Sequence, residues 1–307
     1  MRRLGVHDRR NLRVGLLFVS PWLIGLLAFY LYPIGASLYY SFTDYTVLQP
    51  PTWVGLDNFR AIIHDPVFWT SLTNTLYMVV IGIPVYTIVD IAVALLLNSK
   101  VFGQAFFRSV IFLPTLIPAV VLSILWLRLL DPRNGLLNVA LSQFNITGPG
   151  WFSDPDWSKP SFILLLLWGS GNSVVIYLAG LQNVDQTLYE AADVDGANWP
   201  QKVRHITLPS LSPVILFNVI LAIIATFQLF AQVYIISTTG GNGANAAPGS
   251  PLNSVLFYSV YLYQQAFSYY QMGYASGLAW ILLVITLALT VVILKSSARW
   301  VYYAGNR

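Results

Sequence analysis

Glu190-Ala-Ala-Asp-Val-Asp-Gly-Ala-Asn-Trp-Pro-Gln-Lys-Val-Arg-His-Ile-Thr-Leu-Pro-Ser-Leu-Ser-Pro213 is a polar island in an apolar chain. It holds Glu190, the only glutamate of the protein, with Asp193, Asp195, Lys202, Arg204 and His205. Residues 160–184 before it and 206–294 after it carry no charged side chain. Apolar runs of this length can cross a bilayer as helices, and a polar stretch between two of them must lie outside the lipid. The island therefore reads as a handle on a helical membrane protein.

The whole composition agrees. The 307 residues are 56% hydrophobic and 9% charged, against about 25% charged in a soluble domain. Too few charges remain to cover a water-facing surface, so lipid is the solvent for most of the chain. The sequence has no cysteine, which excludes disulfides, thiolate nucleophiles and cysteine-ligated metals. The net charge of +4 is read as a topology signal rather than as a sign of nucleic-acid binding.

Six spans are expected, over residues 14–40, 76–97, 109–127, 162–184, 214–237 and 274–294, in a single domain covering 1–307. The first is interrupted by Ser20-Pro21. It is longer than a signal-peptide core and no small-residue cleavage pattern follows it, so it reads as a retained span. Pro114 and Pro118 are expected to kink the third. Residues 238–251, rich in Gly and Asn, read as a flexible loop. Residues 257–274, crowded with Tyr and Phe, read as a girdle at the membrane–water interface. Six spans place both termini on one side. That side then carries twelve of the sixteen Lys and Arg, and the other carries Arg60, Arg128, Arg133 and Lys159. The positive-inside rule makes the twelve-residue side, with the island, cytoplasmic.

Within the island, Thr187-Leu-Tyr-Glu190 fits a capping box. Leu188, Ala191, Ala192 and Asp195 share one helical face, and Gly196 suits the left-handed residue that ends a helix. Asn198-Trp-Pro-Gln201 reads as a second helix start. Pro209 and Pro213 are expected to separate this second helix from the fifth span. The result is an elbow, over residues 187–213, that another protein could grip. No enzyme constellation accompanies it. His7, His64 and His205 lie in separate segments, no Gly-x-x-x-x-Gly-Lys phosphate loop is present, and no metal site is expected.

Glu190-Ala191-Ala192, three residues, Gly196, nine residues, Ile206, one residue and Leu208-Pro209 reproduce a long spaced signature. It resembles the loop of permease subunits of binding-protein-dependent ABC importers. Leu31-Tyr-Pro33, Ser41-Phe-Thr-Asp44, Gly55-Leu-Asp-Asn-Phe59, Asn74-Thr75, Arg108 with Pro114, Gly135-Leu-Leu-Asn138 and Met272-Gly-Tyr-Ala-Ser276 resemble the sugar-permease branch, of the first-subunit class. Asn242 departs from it, where Gly-Gly is often followed by Pro, and the large extracellular insert of some maltose-type subunits is lacking. The resemblance implies an all-α integral membrane protein with the type I ABC importer permease fold. It implies that the Glu190–Pro209 loop, with Asp195, couples to an ATPase, and that Arg60 and residues 57–69 face a binding protein. The implied partners are a second homologous permease, two ATPase subunits, an extracytoplasmic solute-binding protein and a carbohydrate, in a bacterial or archaeal cytoplasmic (inner) membrane. This chain would bind no cofactor; ATP and Mg would be used by the ATPase.

Asn172, Ser173 and Tyr177 in the fourth span, and Gln228 and Gln232 near the end of the fifth, stand in apolar runs. Such groups often bond a neighbouring helix. Their alternative role is to line a path where amides and hydroxyls exchange hydrogen bonds with a neutral sugar. A glycerol-3-phosphate or phosphodiester importer is the nearby alternative, and the absence of a Lys/Arg pair in these spans argues against it. Asp90 lies in mid-span, where a carboxyl group by default suggests function; a buried structural role stands against a substrate contact. An ATP-independent secondary transporter or channel would need coupled intramembrane charges or an inverted repeat, and Asp90 is the one acid inside a span.

Overall fold

The computed structural model describes residues 6–99, 102–239 and 248–302. Arg2, Arg3, Lys100, Asn242, Arg307 and the centre of the expected 238–251 loop lie outside the described residues. The chain divides into two units, Met1–His64 with Gln265–Ile281, and Asp65–Gln264 with Leu282–Arg307.

The first unit is built on the Val14–Ser41 helix, 28 residues long. It leads into a two-residue antiparallel hairpin pairing Thr43 with Trp53 and Asp44 with Thr52. The short Asp57–His64 helix follows. Asn58 Nδ2 ties that helix to the hairpin by donating to the Ser41 and Thr43 carbonyls, at 3.0 and 2.8 Å. Gly273 closes the same corner. Its N–H donates to Tyr45 O at 3.0 Å, and a Cβ there would stand 2.0 Å from Thr43 O, so no larger residue fits. Three separate stretches quoted for the resemblance, around Ser41, Asn58 and Gly273, thus form one backbone knot.

The second unit contains the 33-residue Pro66–Asn98 helix, the 29-residue Trp199–Phe227 helix and two bent pairs. Gln104–Leu116 meets Ala119–Leu129 at 103°, and Pro155–Trp168 meets Gly171–Gln182 at 53°. The long Met272–Ser297 helix begins in the first unit and ends in the second. By length and apolarity four helices can cross a membrane, or six if each bent pair is one span. The core of this unit packs Ile91, Ala94 and Leu97 against Val174, Tyr177, Leu178, Leu181 and Leu211.

Prolines shape these helices in two ways. The π-turns Leu27–Leu31, Met78–Gly82 and Val203–Thr207 each precede a proline, Pro33, Pro84 and Pro209. A proline lacks the N–H and clashes with the carbonyl four residues back, here that of Phe29, Val80 or His205. A π-turn widens the ladder at that point, and the helix runs on. Pro118 acts otherwise. The residue before it, Ile117, is extended at φ −77°, ψ 126°, as the ring of a following proline favours, and the helix turns sharply.

The expectation that Pro209 and Pro213 separate the second island helix from the fifth span is therefore corrected. Trp199–Phe227 is one continuous helix, with Pro213 inside it. It stops at Phe227, short of the expected 237, and a separate Ala231–Thr239 helix follows. The 257–274 stretch also differs from a uniform girdle. Phe257, Tyr258 and Tyr261 are fully buried, whereas Phe267, Tyr269 and Tyr270 are exposed.

Candidate functional site

The island begins with the Gln186–Val194 helix. Its N-cap is Asp185, whose carboxylate accepts the Thr187 N–H at 2.9 Å. The same bond, joined by one from the Thr187 hydroxyl, holds the Asp185 carboxyl below the usual range. The expected Thr187–Glu190 capping box is thus corrected: the helix starts at Gln186, and Thr187 donates to the cap rather than providing it. Glu190 is consequently freed from any capping duty. It is exposed, and among the described residues it takes part in no ion pair.

The helix ends at Gly196, whose φ is +74°. Gly196 N–H donates to Asp193 O at 3.1 Å and Ala197 N–H to Ala192 O at 2.9 Å, the paired bonds of a Schellman motif. The chain then restarts at Asn198, where a capping box forms. Gln201 N–H donates to Asn198 Oδ1 at 3.1 Å, and Asn198 N–H to Gln201 Oε1 at 2.7 Å. Lys202 pairs with Asp193 across the turn. Tyr189 and the buried Thr207 bond through their hydroxyls at 2.9 Å. This last brace was not found from sequence, because no spacing rule links residues 18 apart.

These ties hold Ala191, Ala192, Asp195 and Gly196 at an exposed tip, with Ala192 half-buried. Ile206 and Pro209 are half-buried at the base, and Leu208 is exposed there. A hollow of about 380 Å³ lies between Ala192, Asp195 and Gly196 on one side and Gln201, Lys202 and His205 on the other. The site is a rigid, partly apolar elbow that can receive a partner's surface; it holds no catalytic arrangement.

The five candidate path residues do not share one environment. Asn172 is exposed and Ser173 half-buried in the first turn of the Gly171–Gln182 helix. Tyr177, one turn on, is 1% exposed and belongs to the core with Ile91 and Leu178. It packs inward within this chain. Gln228 is exposed at the break after Phe227, and Gln232 is half-buried just beyond. Asp90 is buried, and Ser170 Oγ donates to its Oδ1 at 2.5 Å. Ser170 lies at the break of the bent Pro155–Gln182 pair, and its hydroxyl also reaches Leu167 O at 2.7 Å.

Other stretches quoted for the resemblance prove to be staples. Asn74 Nδ2 donates to Asn253 O at 2.7 Å and Leu256 O at 3.2 Å, and Thr75 Oγ1 accepts from Tyr258 N–H at 2.9 Å. Asn138 Oδ1 accepts from Trp151 Nε1 at 2.7 Å, and its Nδ2 donates to Pro132 O at 3.0 Å.

Several helices long and apolar enough to cross a membrane, with a braced polar elbow between two of them, define the class of a multi-pass membrane protein. The chain belongs to the family described as binding-protein-dependent transport system inner membrane component, whose model matches residues 90–302. It is 39% identical over 301 residues to the probable ABC transporter permease protein YesP of Bacillus subtilis (strain 168), covering 97% of this chain and 94% of that one. It is 35% identical to the lactose transport system permease protein LacF of Rhizobium radiobacter, covering 90% and 91%. It is 34% identical to the arabinooligosaccharides transport system permease protein AraP of Bacillus subtilis (strain 168), covering 92% and 87%. A chain of the bacterial alginate ABC transporter, crystallised with an alginate pentasaccharide-bound periplasmic protein, superposes with a TM-score of 0.79 at 21% identity, covering 97% and 98%. The relatives are permeases, so the chain is a transport subunit of the inner membrane rather than an enzyme.

Proposed function

We propose that this chain is a permease subunit of an ATP-driven importer for a carbohydrate, most consistent with a di- or oligosaccharide, working by alternating access. The reading is carried by the island: an exposed Glu190 on the short Gln186–Val194 helix, which is capped at both ends and tied by Lys202–Asp193 and Tyr189–Thr207 to the base of the membrane-length Trp199–Phe227 helix. A push on the tip would pass along that rod into the bundle. The names of relatives that transport lactose and arabinooligosaccharides support the cargo class. The proposed assembly adds a second permease, two ATPase subunits that use ATP and Mg, and an extracytoplasmic binding protein, with both termini of this chain in the cytoplasm. Glu190, Ala191, Ala192, Asp195, Gly196, Ile206, Leu208 and Pro209 form the ATPase contact in this proposal. Asn172, Ser173, Tyr177, Gln228 and Gln232 contribute to the path in this proposal.

The test is reconstitution of the assembled complex in vesicles with its binding protein and a panel of sugars. Uptake and sugar-stimulated ATP hydrolysis should fall together in Glu190→Ala and Gly196→Pro. Retention of full, stimulated turnover by both variants would refute the coupling role. Preferred uptake of glycerol-3-phosphate over every neutral sugar would refute the cargo class.

A further inference from the structure

A groove where the Gln104–Phe112 and Gly171–Gln182 helices meet serves neither the elbow nor the path. It encloses about 230 Å³. Ile111, Val174 and Leu178 make one end apolar, and Val175 sits on the rim, 43% exposed. The other end carries Arg108 and Gln182. Arg108 Nη2 donates to Leu97 O at 3.4 Å, beyond the usual length of such a bond. Its Nε is buried and has no partner among the described residues. The ion pairs among those residues are Arg60–Asp57 and Lys202–Asp193, so Arg108 has no carboxylate to answer its charge. Arg108 as a whole is half-buried, but a guanidinium whose Nε is sealed from water without a partner carries a desolvation cost that an anion at the groove would offset.

The depth of the groove says which anion. Leu97 and Gln182 lie at the ends of Ile83–Asn98 and Gly171–Gln182, and Arg108 is one turn into its helix. The charged end is therefore at a membrane boundary, and the apolar end runs toward the middle of the span. The division of Lys and Arg puts that boundary at the cytoplasm. A guanidinium over a hydrocarbon-lined slot matches a phosphate over an acyl chain.

We propose that this groove binds one anionic phospholipid of the inner leaflet. Its phosphate rests on Arg108 and Gln182, and an acyl chain lies along Ile111, Val174 and Leu178. The leaflet assignment rests on the cytoplasmic placement proposed above; the lipid contact itself does not.

The test uses the assembled complex in nanodiscs, with phosphatidylglycerol or phosphatidylcholine carrying a photoreactive acyl chain. Residues 174–182 should be labelled about fivefold more by phosphatidylglycerol, the factor one cation–phosphate contact at a membrane surface supplies. Arg108→Gln should abolish that preference. Val175→Trp, which leaves Arg108 in place but crowds the rim, should lower labelling by both lipids. Equal labelling by the two lipids, or a preference that survives Arg108→Gln, would overturn the site. Retention of inorganic phosphate in place of lipid, seen by native mass spectrometry, would also overturn it. A Ser99→Cys variant read in intact cells with a membrane-impermeant maleimide separates the two claims. Labelling from the outer side would overturn the inner-leaflet assignment alone.

Discussion

Gly196 holds φ at +74°, and a Cβ built there meets nothing within 4 Å. The need for glycine is thus conformational, not steric. Gly196→Ala should cost about 1–2 kcal/mol, the penalty of the left-handed region for an L-residue, and Gly196→Asn less. Thermal unfolding of the purified complex with each variant checks the ranking, and equal midpoints would remove the argument. Asp185 gives a pH prediction. Its carboxyl is held low chiefly by the Thr187 backbone N–H, so the folded state binds the charged form better than the unfolded state does. Its contribution is present above the ordinary carboxylate range and is lost as pH falls through the depressed value. Exchange protection of the first turn of Gln186–Val194 should drop in acid for the native chain. Asp185→Asn, still a good cap, should show no such acid drop. Gly196 and Asn198 were legible in the sequence because each is a strong terminus former with no rival nearby. Asp185 was not, because Thr187 two residues on is also a good cap. The contest is decided by where the preceding Gly171–Gln182 helix ends.

At the scale of elements, local pattern placed the helices but not their breaks. Pro118 and Pro209 look alike in sequence. One follows an extended residue and turns the chain through 103°, the other follows a π-turn and lets Trp199–Phe227 continue. The local geometry differs, a 3-10 turn with Pro114 before Ile117 against a π-turn before Leu208, and the proline alone does not tell the two apart. Asn74 is as silent in sequence, since its partners are 179 and 182 residues away. Asn74→Ala would strip the donor from two carbonyls in buried surroundings. It should destabilise the unit by about 1–3 kcal/mol, the usual cost of an orphaned buried polar group. Limited proteolysis should then cut faster around residues 253–257. Unchanged cleavage and an unchanged melting temperature would show that the 253–258 segment is held by its packing, with Phe257 and Tyr258 fully buried, and not by the amide.

For the whole molecule, the first unit joins Met1–His64 to Gln265–Ile281, a closure that no periodicity could announce. The sidedness expected for the chain, by contrast, was legible in the sequence, as twelve Lys and Arg set against four if the spans number six. On the proposed function, it decides which surface would meet an ATPase and which a binding protein. The absence of cysteine makes this directly measurable. Ala197→Cys, beside the left-handed Gly196 in the elbow, should react with an impermeant maleimide only after the membrane is opened. Asn145→Cys, at an exposed φ of 57° in the 130–154 connection, should react in intact cells. The two positions are separated by the bent Pro155–Trp168 and Gly171–Gln182 pair. Opposite reactivity therefore requires that this pair cross the membrane once, despite its 53° bend. If both cysteines react from outside, the pair is re-entrant, the elbow faces away from ATP, and a force transmitted through Trp199–Phe227 has no source.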